Sequence, residues 1–366
     1  MKPCEPINEL LRERIAAGDF PSAVYAAAER GSIIYAGALG AAVRVPMTVN
    51  TMLGTVYDLA SLTKPLVTGL LCAILLERGA IKLDDAAARF LPEFARDDKR
   101  EITLLQLLTH TSGFPAWRPF YLAVGDVLQT IADEPLQNAP GTKVEYSDFN
   151  FIALGVLLER LTGKKLDELA RAEIFAPLGL QNTAFNPPFE WRERIAASEI
   201  GNAHERNEAG AGGAGYNWRE GVIWGEVHDG NAHFLGGVAG HAGLFADVRD
   251  TVKIAAQFHA GLSQLLQPET CQLFRTNFTP GHDEARSFAW SLAATKLSTA
   301  GPDLPPDAFG HLGFTGTSCW NDASRQRIYV LLTNRTHDKP LPFVNINSTR
   351  RTFHSLAQAA LNEPQN

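Results

Sequence analysis

Three short clusters along the chain carry residue types able to break an acyl bond. The first is Ser61-Leu62-Thr63-Lys64, the single Ser-x-x-Lys of the sequence. Serine and lysine three apart on a helix share a face, so the Lys64 ammonium can reach Ser61 Oγ. A lysine placed there can activate a weak alcohol nucleophile without a histidine. Between Leu59 and Leu76, Lys64 is the only ionisable side chain apart from the Cys72 thiol. Burial in such an apolar run is expected to lower its pKa unless partners compensate. The plainer alternative is that Ser61 only caps the helix and Lys64 snorkels to solvent. The second cluster, Tyr146-Ser147-Asp148, precedes a strongly helical stretch, where Asp148 can also serve as an ordinary cap. The third runs from Gly310 through His311, Gly313 and Phe314 to Thr317 at the start of an expected strand, where its glycines can also simply permit tight turns.

Other arrangements fail on context. Gly210, Gly212 and Gly215 match GxGxxG, but polar residues precede them where a dinucleotide site needs a strand. No GxSxG elbow and no HExxH is present. His228, Asp229, His233 and His241 lie close in sequence, but their spacing fits no standard metal pattern and reads as loop and packing groups. The four cysteines, 4, 72, 271 and 319, form no CxxC pair, and Cys72 reads as a small core residue.

These clusters need elements to hold them. The patterning predicts helices over 7–18, 62–76, 148–161, 165–175, 247–261 and 347–361. It predicts strands over 23–28, 32–36, 287–294, 313–321 and 327–333, the last two joined as a hairpin. The Gly-rich segment 201–217 reads as a mobile loop, and 110–113 as a helix end capped by Gly113. Strands therefore gather at both ends of the chain around a mostly helical middle. The simplest packing is one antiparallel sheet flanked by helices, an α/β unit formed by 1–75 and 236–366, with a mostly helical insert over 76–235. The 366 residues carry 33 basic and 40 acidic side chains, a net charge of −7. That balance without a basic block argues against nucleic acid and anionic lipid as partners, and the longest oily run is too short to span a bilayer. Met1 to Pro6 offers no apolar stretch of a signal peptide. The expectation is a cytoplasmic location, or a periplasmic or secreted one if a leader has been removed.

In this order and at these separations, the three clusters resemble the serine penicillin-recognising hydrolases. That superfamily holds the class C β-lactamases, the D-alanyl-D-alanine carboxypeptidases and related esterases and amidases. Its pattern is SxxK, then YxN, then a KTG or HxG strand, here Ser61–Lys64, Tyr146–Asp148 and His311–Gly313. Leu107 to Gly113, Gly240 to Phe245 and Leu331 to Arg335 also look like this family, and the resemblance spans about residues 8–360. It implies the β-lactamase/transpeptidase-like fold and catalysis through an acyl-enzyme. Ser61 would be the nucleophile, with Lys64 or Tyr146 as general base. The Ser61 and Phe314 N–H groups would form the oxyanion hole, and Asp148 and His311 would contact the substrate. No metal and no cofactor is required, and the partner is a small-molecule or peptide substrate: a β-lactam, a D-alanyl or muropeptide amide, or a carboxylic ester. A protein that acylates without turnover and a metal-dependent hydrolase are the alternatives.

Two departures bear on substrate. Asp148 stands where the pattern has Asn, and an ionised carboxylate only accepts hydrogen bonds. His311 stands where the pattern has Lys, so a permanent positive charge is missing. Both favour neutral esters over carboxylate-bearing β-lactams. Lowering the pH towards 6 is expected to protonate His311 and offset part of that bias.

Overall fold

The computed structural model describes residues 1–123 and 125–363. Its strands in chain order are β1 (Ser22–Glu29), β2 (Ser32–Val43), β3 (Val49–Asn50), β4 (Tyr57–Asp58), β5 (Thr183–Phe185), β6 (Leu244–Ala246), β7 (Ser291–Leu292), β8 (Phe309–Leu312), β9 (Ser318–Asp322) and β10 (Arg327–Thr333). Seven of them form one sheet in the order β3-β2-β1-β10-β9-β8-β7, with antiparallel neighbours throughout. The two chain ends meet at its centre, where Ala23 lies opposite Thr333 and Glu29 opposite Arg327.

Strand β1 is nearly continuous in small and apolar residues because it is buried on both faces. Val24, Ala26 and Ala28 face the main core, whereas Ala23, Tyr25 and Ala27 face a second one. The terminal helices Glu5–Ala16 and Asn347–Asn362 close that second core through Ile7, Leu11, Phe353 and Ala357. The main core holds the helical segment Ala60–Glu77, which is apolar enough in composition to cross a membrane but is 83% buried inside the protein. It starts as a 3-10 turn, Ala60–Leu62, widens to π geometry over Lys64–Gly69 and becomes α-helical over Leu70–Glu77. Pro65 supplies no N–H to the widened turn.

Several expectations change. The segment 313–321 is not one strand: a turn at 313–317, closed by the Gly313 N–H on Thr317 O at 2.8 Å, separates β8 from β9. Of 287–294 only Ser291–Leu292 pairs in the sheet, because the Ser287 N–H turns back on Trp290 O. The segment 201–217 is not all loop. Ala203–Ala209 is a helix of good helix formers, followed by a 3-10 turn at Gly210–Gly213. The middle of the chain also adds β5 to a small sheet, order β4-β6-β5. Finally, Gly113 does not cap the helix Leu104–Leu108; Thr109 does, and His110 takes the left-handed conformation after it. Gly113, with φ +88°, is instead required because a Cβ there would strike Asn138 O.

Candidate active site

Strand β4 and the turn after β8 hold the nucleophile loop from two sides. Thr315 Oγ1 donates to Asp58 O at 2.8 Å and Thr317 Oγ1 to Leu59 O at 3.0 Å. Gly313 is pressed against the same loop, and a Cβ on it would run into Leu59 O and Thr317 Oγ1. Ala60 enters the 3-10 turn with φ +48°, a strained conformation for a residue with a side chain, and its N–H is held by Asp58 Oδ1 at 2.8 Å. Ser61 and Phe314 thus line one cavity of about 370 Å³. Among the described residues, neither amide N–H donates to an acceptor outside its own element.

Lys64 is fully buried. Its Nζ donates to Ser61 Oγ at 3.0 Å and to His241 O at 3.2 Å, and it pairs with Asp148 Oδ1 at 2.6 Å. Snorkelling to solvent is therefore ruled out. The expected pKa reverses as well. Burial pulls the lysine down, but the charges of Asp148 and Tyr146 outweigh it and hold Lys64 above its ordinary value. Asp148 is the first residue of the helix Asp148–Thr162, yet its side chain caps nothing and is spent on Lys64. The segment containing Gly240 and Leu244 packs on the helical segment Ala60–Glu77: Thr68 Oγ1 donates to Gly240 O, and Thr63 Oγ1 accepts the Leu244 N–H.

Tyr146 is enclosed by cations and imidazoles. Lys64 Nζ lies 5.0 Å and the Arg286 guanidinium 5.6 Å from its ring centre. The rings of His110 and His311 lie 4.6 and 5.7 Å away. Burial pushes His110 far below its ordinary pKa, and its Nδ1 faces the Ser147 N–H at 3.1 Å, which anchors the Tyr146 turn. His311 is pushed down by burial and then by the positive charges of Lys64 and Arg286. Its Nδ1 faces Leu312 O at 2.8 Å. The expectation that pH 6 charges His311 fails for that reason. His311 is buried beside Tyr146 and does not line the cavity.

The sequence-adjacent set His228, Asp229, His233 and His241 does not converge. His228 faces Glu199 at 2.9 Å, His233 faces Glu226 at 3.6 Å, and His241 Nε2 meets Asp229 Oδ1 at 2.9 Å. Asp148, Asp229 and His241 bring ligand-type atoms within 4.8 Å of one another, but Lys64 already places a cation on Asp148. Burial opposes ionisation of Asp229, yet His241 and the Ala232 N–H hold its carboxyl well below the usual range.

The site also contains groups that the motifs did not announce. Asp58, raised by burial, accepts the His228 N–H at 2.7 Å and so ties the nucleophile loop to the 228 segment. Glu205 and Glu208, on the helix read from sequence as loop, line the cavity with Trp117, His204 and Asp229. The run of Ala, Glu and Arg at 203–209 was the signal for that helix, masked by the glycines after it.

The Beta-lactamase family model matches residues 7–349. The chain belongs to that family. A putative D-alanyl-D-alanine carboxypeptidase of Escherichia coli is 33% identical to it, covering 91% of this chain and 83% of the relative. Among solved structures, EstCE1, a hydrolase with promiscuous acyltransferase activity, superposes with a TM-score of 0.74 at 22% identity, over 96% of this chain and 97% of its own. A class C β-lactamase from Rhodobacter sphaeroides gives 0.72 at 19% identity, over 97% and 99%. These structures establish the β-lactamase/transpeptidase-like fold, and the family marks the chain as a hydrolase of the β-lactamase type.

Proposed function

We propose that the chain is a serine hydrolase that cleaves an ester or amide through an acyl-enzyme on Ser61. The observation that carries this reading is the contact of a fully buried Lys64 Nζ with Ser61 Oγ at 3.0 Å. Lys64 is held as an ammonium, so it supports charge on Ser61 Oγ and does not take its proton. That leaves Tyr146 as the proton acceptor of the two candidates. Ser61 Oγ bonds to the carbonyl carbon, and the oxyanion forms against the Ser61 and Phe314 N–H groups. Tyr146 returns the proton to the leaving group as that bond breaks. Water then attacks the acyl-enzyme and regenerates Ser61.

Ser61→Ala is expected to abolish hydrolysis of p-nitrophenyl acetate and the acyl adduct in intact mass spectrometry. Retention of more than a few per cent of activity removes Ser61 from the role, and an adduct that persists for hours points to acylation without turnover. For substrate, the absence of a charged group at His311 supports neutral esters over β-lactams. His311→Lys should raise kcat/KM for nitrocefin more than for the ester. A shift from pH 7 to 6 should not imitate it, because burial and the two nearby cations keep His311 neutral. A nitrocefin rate that rises at pH 6 in the parent and not in His311→Ala breaks this reading.

A further inference from the structure

The cavity that opens on Ser61 is lined by Asp148, Glu205, Glu208 and Asp229, and by no lysine or arginine among the described residues. Two of these carboxylates have partners: Asp148 pairs with Lys64, and Asp229 meets His241. Glu205 and Glu208 differ. Among the described residues no lysine, arginine or histidine nitrogen lies within 4.0 Å of either carboxylate. Glu208 is exposed at the cavity rim, whereas Glu205 is only 6% exposed. Glu205 accepts the Gly230 N–H at 2.6 Å and is hydrogen-bonded by the Tyr121 hydroxyl, two neutral donors that fix the carboxylate but do not neutralise it. A buried carboxylate without a counter-ion is an unfavourable arrangement unless something else supplies the charge.

The protein's own cations near the cavity are committed elsewhere. Arg335 donates to Phe314 O and Val344 O, and Arg350 to Gly313 O and Thr317 O. Arg219 donates to Val227 O and His228 O. His228, which stacks on Phe314, is already matched by Glu199. A substrate carboxylate would therefore enter a negative cavity with no free cation, while an ammonium would complete it.

We propose that this cavity selects esters or amides whose own chain carries a free ammonium group, with Glu205 and Glu208 as its specificity-determining residues. The inference rests on the Ser61 hydrolase reading and adds the substrate class to it. Burial, and then the charge of Asp229, raises the Glu205 carboxyl to about 6, and His228 offsets only part of that.

The test uses the full chain with three esters of one acyl core, in both enantiomers: alanine methyl ester, N-acetylalanine methyl ester and N-succinylalanine methyl ester, followed by pH-stat. The free-amine ester should show a kcat/KM at least about tenfold above the N-acetyl ester, and the succinyl ester should be slowest. Glu205→Gln and Glu208→Gln should each move the ratio of free-amine to N-acetyl rates towards one. Glu208 is exposed, so its variant keeps the test valid if Glu205→Gln does not fold. Equal rates on the three esters overturn the inference, as does a Glu208→Gln variant that keeps the full ratio. If cleavage depends on Ser61 but shows no amine preference, only this inference falls. If no ester is cleaved at all, the hydrolase reading falls and takes the inference with it.

Discussion

Two walls of the Ser61 cavity each present a carboxylate and treat its charge in opposite ways. On the Lys64 wall, Asp148 meets at 2.6 Å an ammonium that also donates to Ser61 Oγ and His241 O. On the Glu205 wall, a more deeply buried carboxylate has the Gly230 N–H and the Tyr121 hydroxyl but no cation. The first wall is complete without a ligand, as a preorganised catalytic group should be. The second is incomplete, as expected of a surface that recognises charge. The presence or absence of a counter-ion thus separates chemistry from selection within one cavity.

The largest effect should come from breaking the complete wall. Lys64→Met should lower ester hydrolysis by roughly a thousandfold or more, because Ser61 Oγ loses the ammonium that donates to it. It should also reduce folding stability by about 3 kcal/mol or somewhat less, because Asp148, only 15% exposed, is left without its cation. Adding Asp148→Asn should restore most of that stability in urea unfolding and none of the activity. Equal stability of the single and double variants would show that the pair does not hold this wall.

Gly313→Ala tests the geometry between the walls. The new Cβ would strike Leu59 O and Thr317 Oγ1, so the Phe314 N–H must move away from Ser61. Removing one oxyanion donor is worth roughly a hundredfold in kcat. The expected outcome is a fall of that order for p-nitrophenyl acetate with KM little changed. An unaltered kcat would exclude Phe314 as a donor.

The same contrast explains how much was legible in the sequence. The SxxK and YxD clusters stood out because each lies at the start of a helical segment whose apolar pattern is strong, and HLG because its glycine marks the turn that ends β8. The central strands β1 and β10 were readable because burial on both faces leaves them almost free of polar residues. What stayed hidden depends on long-range meetings. The Lys64 shift reverses because Asp148 and Tyr146, distant in sequence, reach it. His311 stays neutral because it is buried and because Lys64 and Arg286 converge on it. Glu205 looked like loop because the glycines after it dominate the local composition, and nothing local shows that it faces Asp229.

The smallest effect, and the sharpest on the open wall, concerns stability. The Glu205 carboxyl is raised from its ordinary 4.5 to about 6 by burial and by the charge of Asp229. The folded state therefore holds an extra proton between those two values. Where the folded state binds more protons than the unfolded one, stability falls as pH rises, so the parent loses stability from pH 4.5 through 6 and levels off above. A shift of that size corresponds to about 2 kcal/mol. Glu205→Gln carries no such charge. Its stability relative to the parent should rise across this window by up to about 2 kcal/mol, less the hydrogen bond to Gly230 that an amide accepts more weakly. Urea unfolding of both proteins at pH 4.5, 6 and 8 would show the gap opening between the first two and holding at the third. A gap that does not change with pH would mean that Glu205 is already compensated, and the two walls would then be alike.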